Sequence, residues 1–268
     1  MFSKSHSHFK IYKYIISMKT RKGGKSGSLK RILYLDEIAG AGGYGICILT
    51  PSKKEIIKLF YDTAACSSLK KEAIIQNKIN KILGGLVPKI TFYSNKPFIF
   101  ENTTYLCGIG MKYFPPPLDF DETVHILLGY RGDDIDTSWG RKMSESISEK
   151  NPTRGFFASP ETMEQIWLKE GSEMTVEKMA AIMGKIIRTL LENKIIPIDI
   201  EWIWSKGKPR IIDFGLCEEG NIDPYTFLEL GGSRGLSTDL YVPHKGDRGY
   251  EEFVDAYLGI NIRSCKEF

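Results

Sequence analysis

Gly40-Ala41-Gly42-Gly43-Tyr44-Gly45, running on into Ile46-Cys47-Ile48-Leu49 and then Pro51, decides how this chain is read. The six residues spell G-x-G-x-x-G, a pattern with two mechanistic uses. A dinucleotide-binding turn needs a strand before it, a helix directly after it and an acidic residue about 20 positions further on. Here a short β-branched run and a proline follow, which suits a strand and not a helix. The other use is a glycine loop between two antiparallel strands, folded over nucleotide phosphates, where missing side chains let the backbone approach. An ordinary hairpin turn draws on the same residues.

On either side of this motif, Ile32–Leu35, Ile46–Leu49 and Ile56–Phe60 read as strands, with a turn at Pro51-Ser52. Lys58 ends an apolar strand and shares a face with Ile56. A buried ammonium is costly unless it is paired. Residues 67–83 have the spacing of an amphipathic helix, with Leu69, Ile75, Ile79, Ile82 and Leu83 near one face. Glu72 falls on that apolar side, where a carboxylate wants a buried partner. An ion pair of Lys58 with Glu72 explains both residues and would hold the lysine towards α- and β-phosphates. Taken alone, Lys58 reads equally as an edge lysine reaching solvent.

Phe98–Phe100 and Tyr105–Tyr113 are two more strand-like runs about a turn at Glu101-Asn102, and Pro115-Pro116-Pro117 reads as a linker. Residues 119–172 read as an irregular insertion with a helix or two. Residues 175–193 are the clearest helix, with Thr175 as N-cap. Trp202–Trp204 and Arg210–Ile212 are short strands, and Glu251–Leu258 is a last helix. Ile211-Ile212-Asp213-Phe214-Gly215 is a D-F-G behind β-branched residues, and Asp213 could chelate magnesium there. Fourteen positions earlier Asp199 stands between Ile198 and Ile200, a lone carboxylate in an apolar loop. Either aspartate alone is an ordinary turn former or cap.

The order of glycine loop, strand lysine, helix glutamate, strand, apolar helix, loop aspartate and D-F-G resembles the protein kinase-like superfamily over about residues 34–240. The resemblance implies an α+β, two-lobed protein kinase-like fold. An antiparallel-sheet N-lobe would span 32–113 and a reduced, mostly helical C-lobe 114–268. It implies ATP and Mg2+ as cofactors. Gly40, Gly42, Gly45 and Lys58 would bind the nucleotide, and Met111 and Tyr113 would offer backbone groups to adenine. Asp199, Lys58 and Glu72 would be catalytic, and Asp213 would hold the metal. Ser237–Tyr241 loosely resembles the start of the central C-lobe helix. The Lys-rich opening and the Ile/Lys usage resemble proteins of large DNA viruses.

The catalytic-loop pattern H-R-D-x-x-x-x-N is not intact. Pro197-Ile198-Asp199 stands where His-Arg-Asp would be, and Trp204 occupies the asparagine position. Either Glu201 replaces the missing asparagine as a metal ligand, or it is a surface carboxylate and the second metal is absent. Without an arginine before Asp199, regulation by an activation-loop phosphate is not expected. No A-P-E follows, and 53 residues lie beyond Gly215. A small C-lobe is expected, which puts protein substrates in doubt and leaves room for small-molecule acceptors.

Of 268 residues, 42% are hydrophobic and 26% charged, enough for a packed core and against global disorder. The formal charge of +4 hides an asymmetry. Residues 1–31 carry nine Lys/Arg and no acid, while the remainder carries 28 basic against 33 acidic residues. The opening therefore reads as a flexible basic arm, either a solvated tail or a contact to nucleic acid or another anionic surface. Met18 is an alternative start to Met1. No apolar run is long enough to span a membrane, and Tyr14–Ile16 is too short for a secretory signal. Five scattered cysteines without C-x-x-C, and four histidines without H-E-x-x-H, argue against zinc sites. They read as reduced thiols in a reducing, cytoplasmic compartment (host cytoplasm or virion, if viral).

Three functions fit. The first is a phosphotransferase, protein Ser/Thr kinase-like, moving the γ-phosphate of ATP to a hydroxyl on a protein or small molecule. The second is a pseudokinase, a kinase-shaped binding or structural protein, virion-associated if viral. The third is an unrelated α+β binding protein with chance motif matches.

Overall fold

The computed structural model describes residues 12–22, 25–35, 38–42, 45–117, 120, 123–129, 156–198, 200–233 and 242–259. The chain is α+β, built mainly of antiparallel sheets with several helices. Its strands are β1 (Tyr12–Lys22), β2 (Lys25–Leu35), β3 (Ile38–Gly42), β4 (Gly45–Leu49) and β5 (Glu55–Phe60). Helix α1 (Thr63–Leu83) and a short 3-10 turn (Gly84–Leu86) follow, then β6 (Ile90–Ser94), β7 (Phe98–Phe100), β8 (Thr103–Tyr105) and β9 (Cys107–Lys112). Next come β10 (Val124–Ile126), β11 (Phe156–Ala158), α2 (Pro160–Lys169) and α3 (Val176–Glu192). The chain continues through β12 (Ile195–Ile196), β13 (Glu201–Ser205), β14 (Lys208–Ile212), β15 (Glu218–Glu219), α4 (Pro224–Ser233) and α5 (Tyr250–Leu258).

Two compact units result, one of residues 1–70 and 90–113, the other of 71–89 and 114–268. In the first, five antiparallel strands lie in the order β3-β4-β5-β9-β6. The β7–β8 hairpin turns at Glu101 and Asn102, both at positive φ, as a two-residue hairpin loop requires. It packs Phe98, Phe100 and Tyr105 against Ile48, Ile57, Leu59 and Phe92. Gly110 belongs to the same packing: a Cβ there would come within 2.1 Å of the Phe92 ring. The run expected as one strand over 105–113 is broken at Leu106, whose N–H donates to the Phe60 carbonyl at 2.7 Å.

In the second unit, α3 is the helix its periodicity foretold. Thr175 caps it, its side chain accepting from the Lys178 N–H at 3.2 Å. Its buried face, from Val176 to Leu191, joins Trp167, Trp202, Trp204, Phe214 and Tyr257 in one core. Gly184 lets α5 approach, since a Cβ there would meet the Phe253 carbonyl oxygen at 2.3 Å. A four-stranded sheet in the order β11-β10-β13-β14 lines this core; β10 and β11 are parallel, the other pairs antiparallel. The expected insertion at 119–172 thus contributes β10, β11 and α2, and residues 130–155 lie outside the described residues.

Two expectations are corrected. Residues 12–22 and 25–31 of the expected flexible arm, with the expected strand 32–35, pair as an antiparallel ribbon, so regular structure begins well before residue 32. Its Gly, Ser and Lys content suggested a linker, but composition ignores the period-2 order that pairing uses. Second, the thiols are not all reduced: Cys66 on α1 and Cys107 on β9 form a disulfide with Cα atoms 5.7 Å apart. They stand 41 positions apart, a separation with no local signature. Cys47 and Cys217 are free thiols. Among the described residues no helix is long and apolar enough to cross a membrane.

Candidate functional site

In the first unit the glycine motif spans a hairpin. Gly42 pairs with Gly45 and Gly40 with Cys47, so antiparallel strands flank the loop; Gly43 and Tyr44 lie outside the described residues. The register continues from Cys47 to Lys58 and from Lys58 to Ile109. A crosswise row Gly40, Cys47, Lys58, Ile109 therefore runs over the sheet on the face opposite the Ile48–Phe92 core. By the two-residue period Gly42 and Gly45 belong to that face too. The spacing thus removes side chains beside the row that carries Lys58.

Gly45 has an additional reason to be glycine. A Cβ on it would lie 1.8 Å from the Leu59 carbonyl oxygen, so the close approach of β4 to β5 requires its absence. Lys58 is half-buried, with Nζ 5.4 Å from the centre of the Phe60 ring. Met111 stands opposite Ile56 and Ile90 in β9. The Tyr113 N–H donates to the Lys54 carbonyl at 3.0 Å, so the backbone donor expected to meet adenine there is already used. The reason is that pairing with the β5 side continues one residue past β9.

In the second unit Asp213 follows β14 at φ +54, a left-handed conformation that a non-glycine residue adopts at a cost. Its Oδ1 accepts from the Gly215 N–H at 3.3 Å. Phe214 is buried in the core. Glu72 is only 5% exposed, although it is a carboxylate. A Cβ on Gly215 would stand 3.6 Å from Glu72 Oε2 and 3.5 Å from Asp213 Oδ1. Two carboxylates therefore close on one glycine turn, an arrangement able to hold a cation. The pairing of β12 with β15 sets the segment before Asp199 beside the segment after Gly215. Cys217 Sγ lies 3.8 Å from the Ile198 carbonyl oxygen across that seam. Asp199 itself lies outside the described residues, as do Ser237–Tyr241.

Glu201 opens β13 opposite Ile212, next to Asp213 in the chain. It is not simply a surface carboxylate: its Oε2 lies 3.4 Å from Nδ1 of His125, and that histidine is 5% exposed. Sequence reading missed His125. The available signal was a polar residue between Val124 and Ile126, both fully buried. On the same face of this sheet Arg210 donates from Nη1 to the Gly85 carbonyl at 2.6 Å and lies over the Phe114 ring at 4.9 Å. Burial holds its guanidinium below the ordinary arginine range.

Among the described residues no cluster of three or more His, Cys, Asp or Glu side chains forms a ready-made metal site. Magnesium rarely uses such a cage; it takes one or two carboxylates together with phosphates and water. Glu72, Asp213 and Glu201 are compatible with that mode. The sequence matches no protein-family model, and no curated protein is detectably similar to it.

Proposed function

We propose that the chain is a kinase-like phosphotransferase of two-lobed form that uses ATP and magnesium to phosphorylate a hydroxyl acceptor. The observation that carries the reading is the closure of the buried Glu72 and the half-buried Asp213 on the Gly215 turn of the D-F-G. A buried carboxylate such as Glu72 persists where a cation or donor offsets its desolvation. In this reading Lys58 neutralises phosphate charge under the glycine hairpin, Asp213 holds magnesium, and Asp199 orients the acceptor. Catalysis would then be positioning and charge stabilisation, which few groups can supply.

A kinase-shaped protein that binds without transferring phosphate is the second reading. The observation favouring it is that Glu201, which would have to replace the missing asparagine, lies with Oε2 3.4 Å from Nδ1 of His125. In the phosphotransferase reading the acceptor is a hydroxyl on a protein or a small molecule. A cytoplasmic home, in a host cell or a virion, is proposed on the same footing. The Cys66–Cys107 disulfide counts against that home, because such a compartment keeps thiols reduced, and thiol counting on freshly lysed cells tests it.

The discriminating measurement is thermal unfolding with ATP, with and without magnesium. Ligand at a hundred times its dissociation constant stabilises by about 2.7 kcal/mol. A magnesium-dependent rise, lost in Lys58→Ala and Asp213→Ala, supports the nucleotide site. No rise in the wild type discards it. If nucleotide binds, Asp199→Asn decides between the readings: phosphotransfer that vanishes with binding intact marks an enzyme. Glu201→Ala with unchanged magnesium dependence removes Glu201 from the metal.

A further inference from the structure

β1 and β2 form a ribbon eleven residues long on each strand, in register from Tyr12 opposite Leu35 to Lys22 opposite Lys25. Among the described residues neither strand pairs with a third. The register sorts the ribbon along its length. Its base sets Tyr12 opposite Leu35, Tyr14 opposite Leu33 and Ile15 opposite Ile32. Its distal half sets Ser17 opposite Lys30, Met18 opposite Leu29, Lys19 opposite Ser28, Thr20 opposite Gly27 and Arg21 opposite Ser26. Residues 12–35 contain seven Lys/Arg and no Asp or Glu. Each basic residue of the distal half thus faces a small partner, except the like-charged pair beside the loop, Lys22 and Lys25.

We infer that this ribbon is a binding element for B-form DNA, with its basic distal half lying in the major groove. The like-charged end is destabilised on its own and relieved by a polyanion. Serines opposite Lys19, Arg21 and Lys30, with Gly27 opposite Thr20 between them, let the backbone come close to phosphates. At about 3.4 Å per residue the strands span roughly 35 Å, and they lie about 4.8 Å apart. A major groove about 12 Å wide admits such a two-stranded ribbon. The minor groove, about 6 Å wide, and the deep narrow groove of A-form RNA do not. A two-stranded ribbon is marginal alone, so a partner supplies stabilisation it otherwise lacks. An anionic bilayer would attract the same charges, but insertion would call for a run of apolar residues at the distal end, and there Met18 opposite Leu29 is the one apolar pair.

The test is fluorescence anisotropy of the full chain with a labelled DNA duplex two turns long, across a salt series. An RNA duplex of the same sequence and phosphatidylserine vesicles run beside it. Replacing Lys19, Arg21, Lys22 and Lys25 by serine should flatten the dependence of log affinity on log salt by about 0.9 for each phosphate the ribbon ceases to neutralise. A second variant, Gly27→Pro with Ser28→Pro, keeps every charge. Successive N–H groups alternate between the partner strand and the outside, so one of these prolines must delete a ladder donor. Binding should weaken at least ~10-fold, because the paired ribbon is what fits the groove. Unchanged tryptophan fluorescence on denaturation checks that the second unit is intact. Equal affinity of the double-proline variant, tighter binding to the RNA duplex, or binding to vesicles without binding to DNA would each overturn the inference.

Discussion

At the level of single residues, the six-residue glycine motif contains glycines of different kinds. Gly40 clears space on the row of Lys58, whereas Gly45 is fixed by the backbone of β5. Gly45→Ala should therefore destabilise the first unit by about 1–3 kcal/mol, as overpacking does, whatever its effect on nucleotide. Urea denaturation reads this, and an unchanged midpoint would show that β4 can slide without cost. The motif was legible in the sequence, but this distinction was not, because it depends on which strand lies alongside. Glu72 illustrates the converse. Helical spacing alone put it on the apolar side of α1, and it is buried. What it meets, the turn of Asp213 to Gly215, is a contact more than 140 positions away that spacing cannot reveal.

At the level of the elements, packing is reinforced by a few specific ties. Arg248 joins α2 to α3: its Nη2 lies 2.7 Å from Glu164 and its Nε 2.5 Å from Glu177. The hydrogen bond from Arg248 holds the Glu177 carboxyl below its ordinary value near 4.5. A carboxyl whose folded pKa is depressed stabilises the fold above its unfolded pKa. That contribution is lost as pH falls through the lower, folded value. Stability of the wild type should thus fall more steeply below about pH 4.5 than that of Arg248→Ala. Denaturation midpoints at pH 3 to 7 measure it, and parallel profiles would assign the clamp no role. The pair is largely exposed, so the effect is modest. Tyr257 is tied similarly, its hydroxyl donating to the Pro224 carbonyl at 2.7 Å while its ring stacks 6.0 Å from Phe253. Burial, the largest influence, raises its phenol above the ordinary tyrosine range.

Across the whole molecule, two units carry separate cores and separate reporters. The Cys66–Cys107 bridge lies within the first unit, and all four tryptophans, Trp139, Trp167, Trp202 and Trp204, fall in the residue range of the second. Closing a loop of this length stabilises a fold by about 2–4 kcal/mol in the chain-entropy model. Cys66→Ser should lower the unfolding midpoint seen by far-ultraviolet ellipticity and leave that seen by tryptophan fluorescence in place. A common shift of both signals would mean that the units unfold as one cooperative body.

Element types could be read from the sequence wherever hydrophobic periodicity was strong. α3 with its Thr175 cap, the β4 and β5 strands, the β13–β14 hairpin and the α+β class all follow from local spacing and capping chemistry. Folding in three dimensions supplied what local chemistry cannot encode. It paired Cys66 with Cys107, set His125 against Glu201 and joined β12 to β15. Each of these joins positions through the packing of other segments. A one-dimensional pattern fixes which face a residue occupies; only the folded chain supplies its neighbour there.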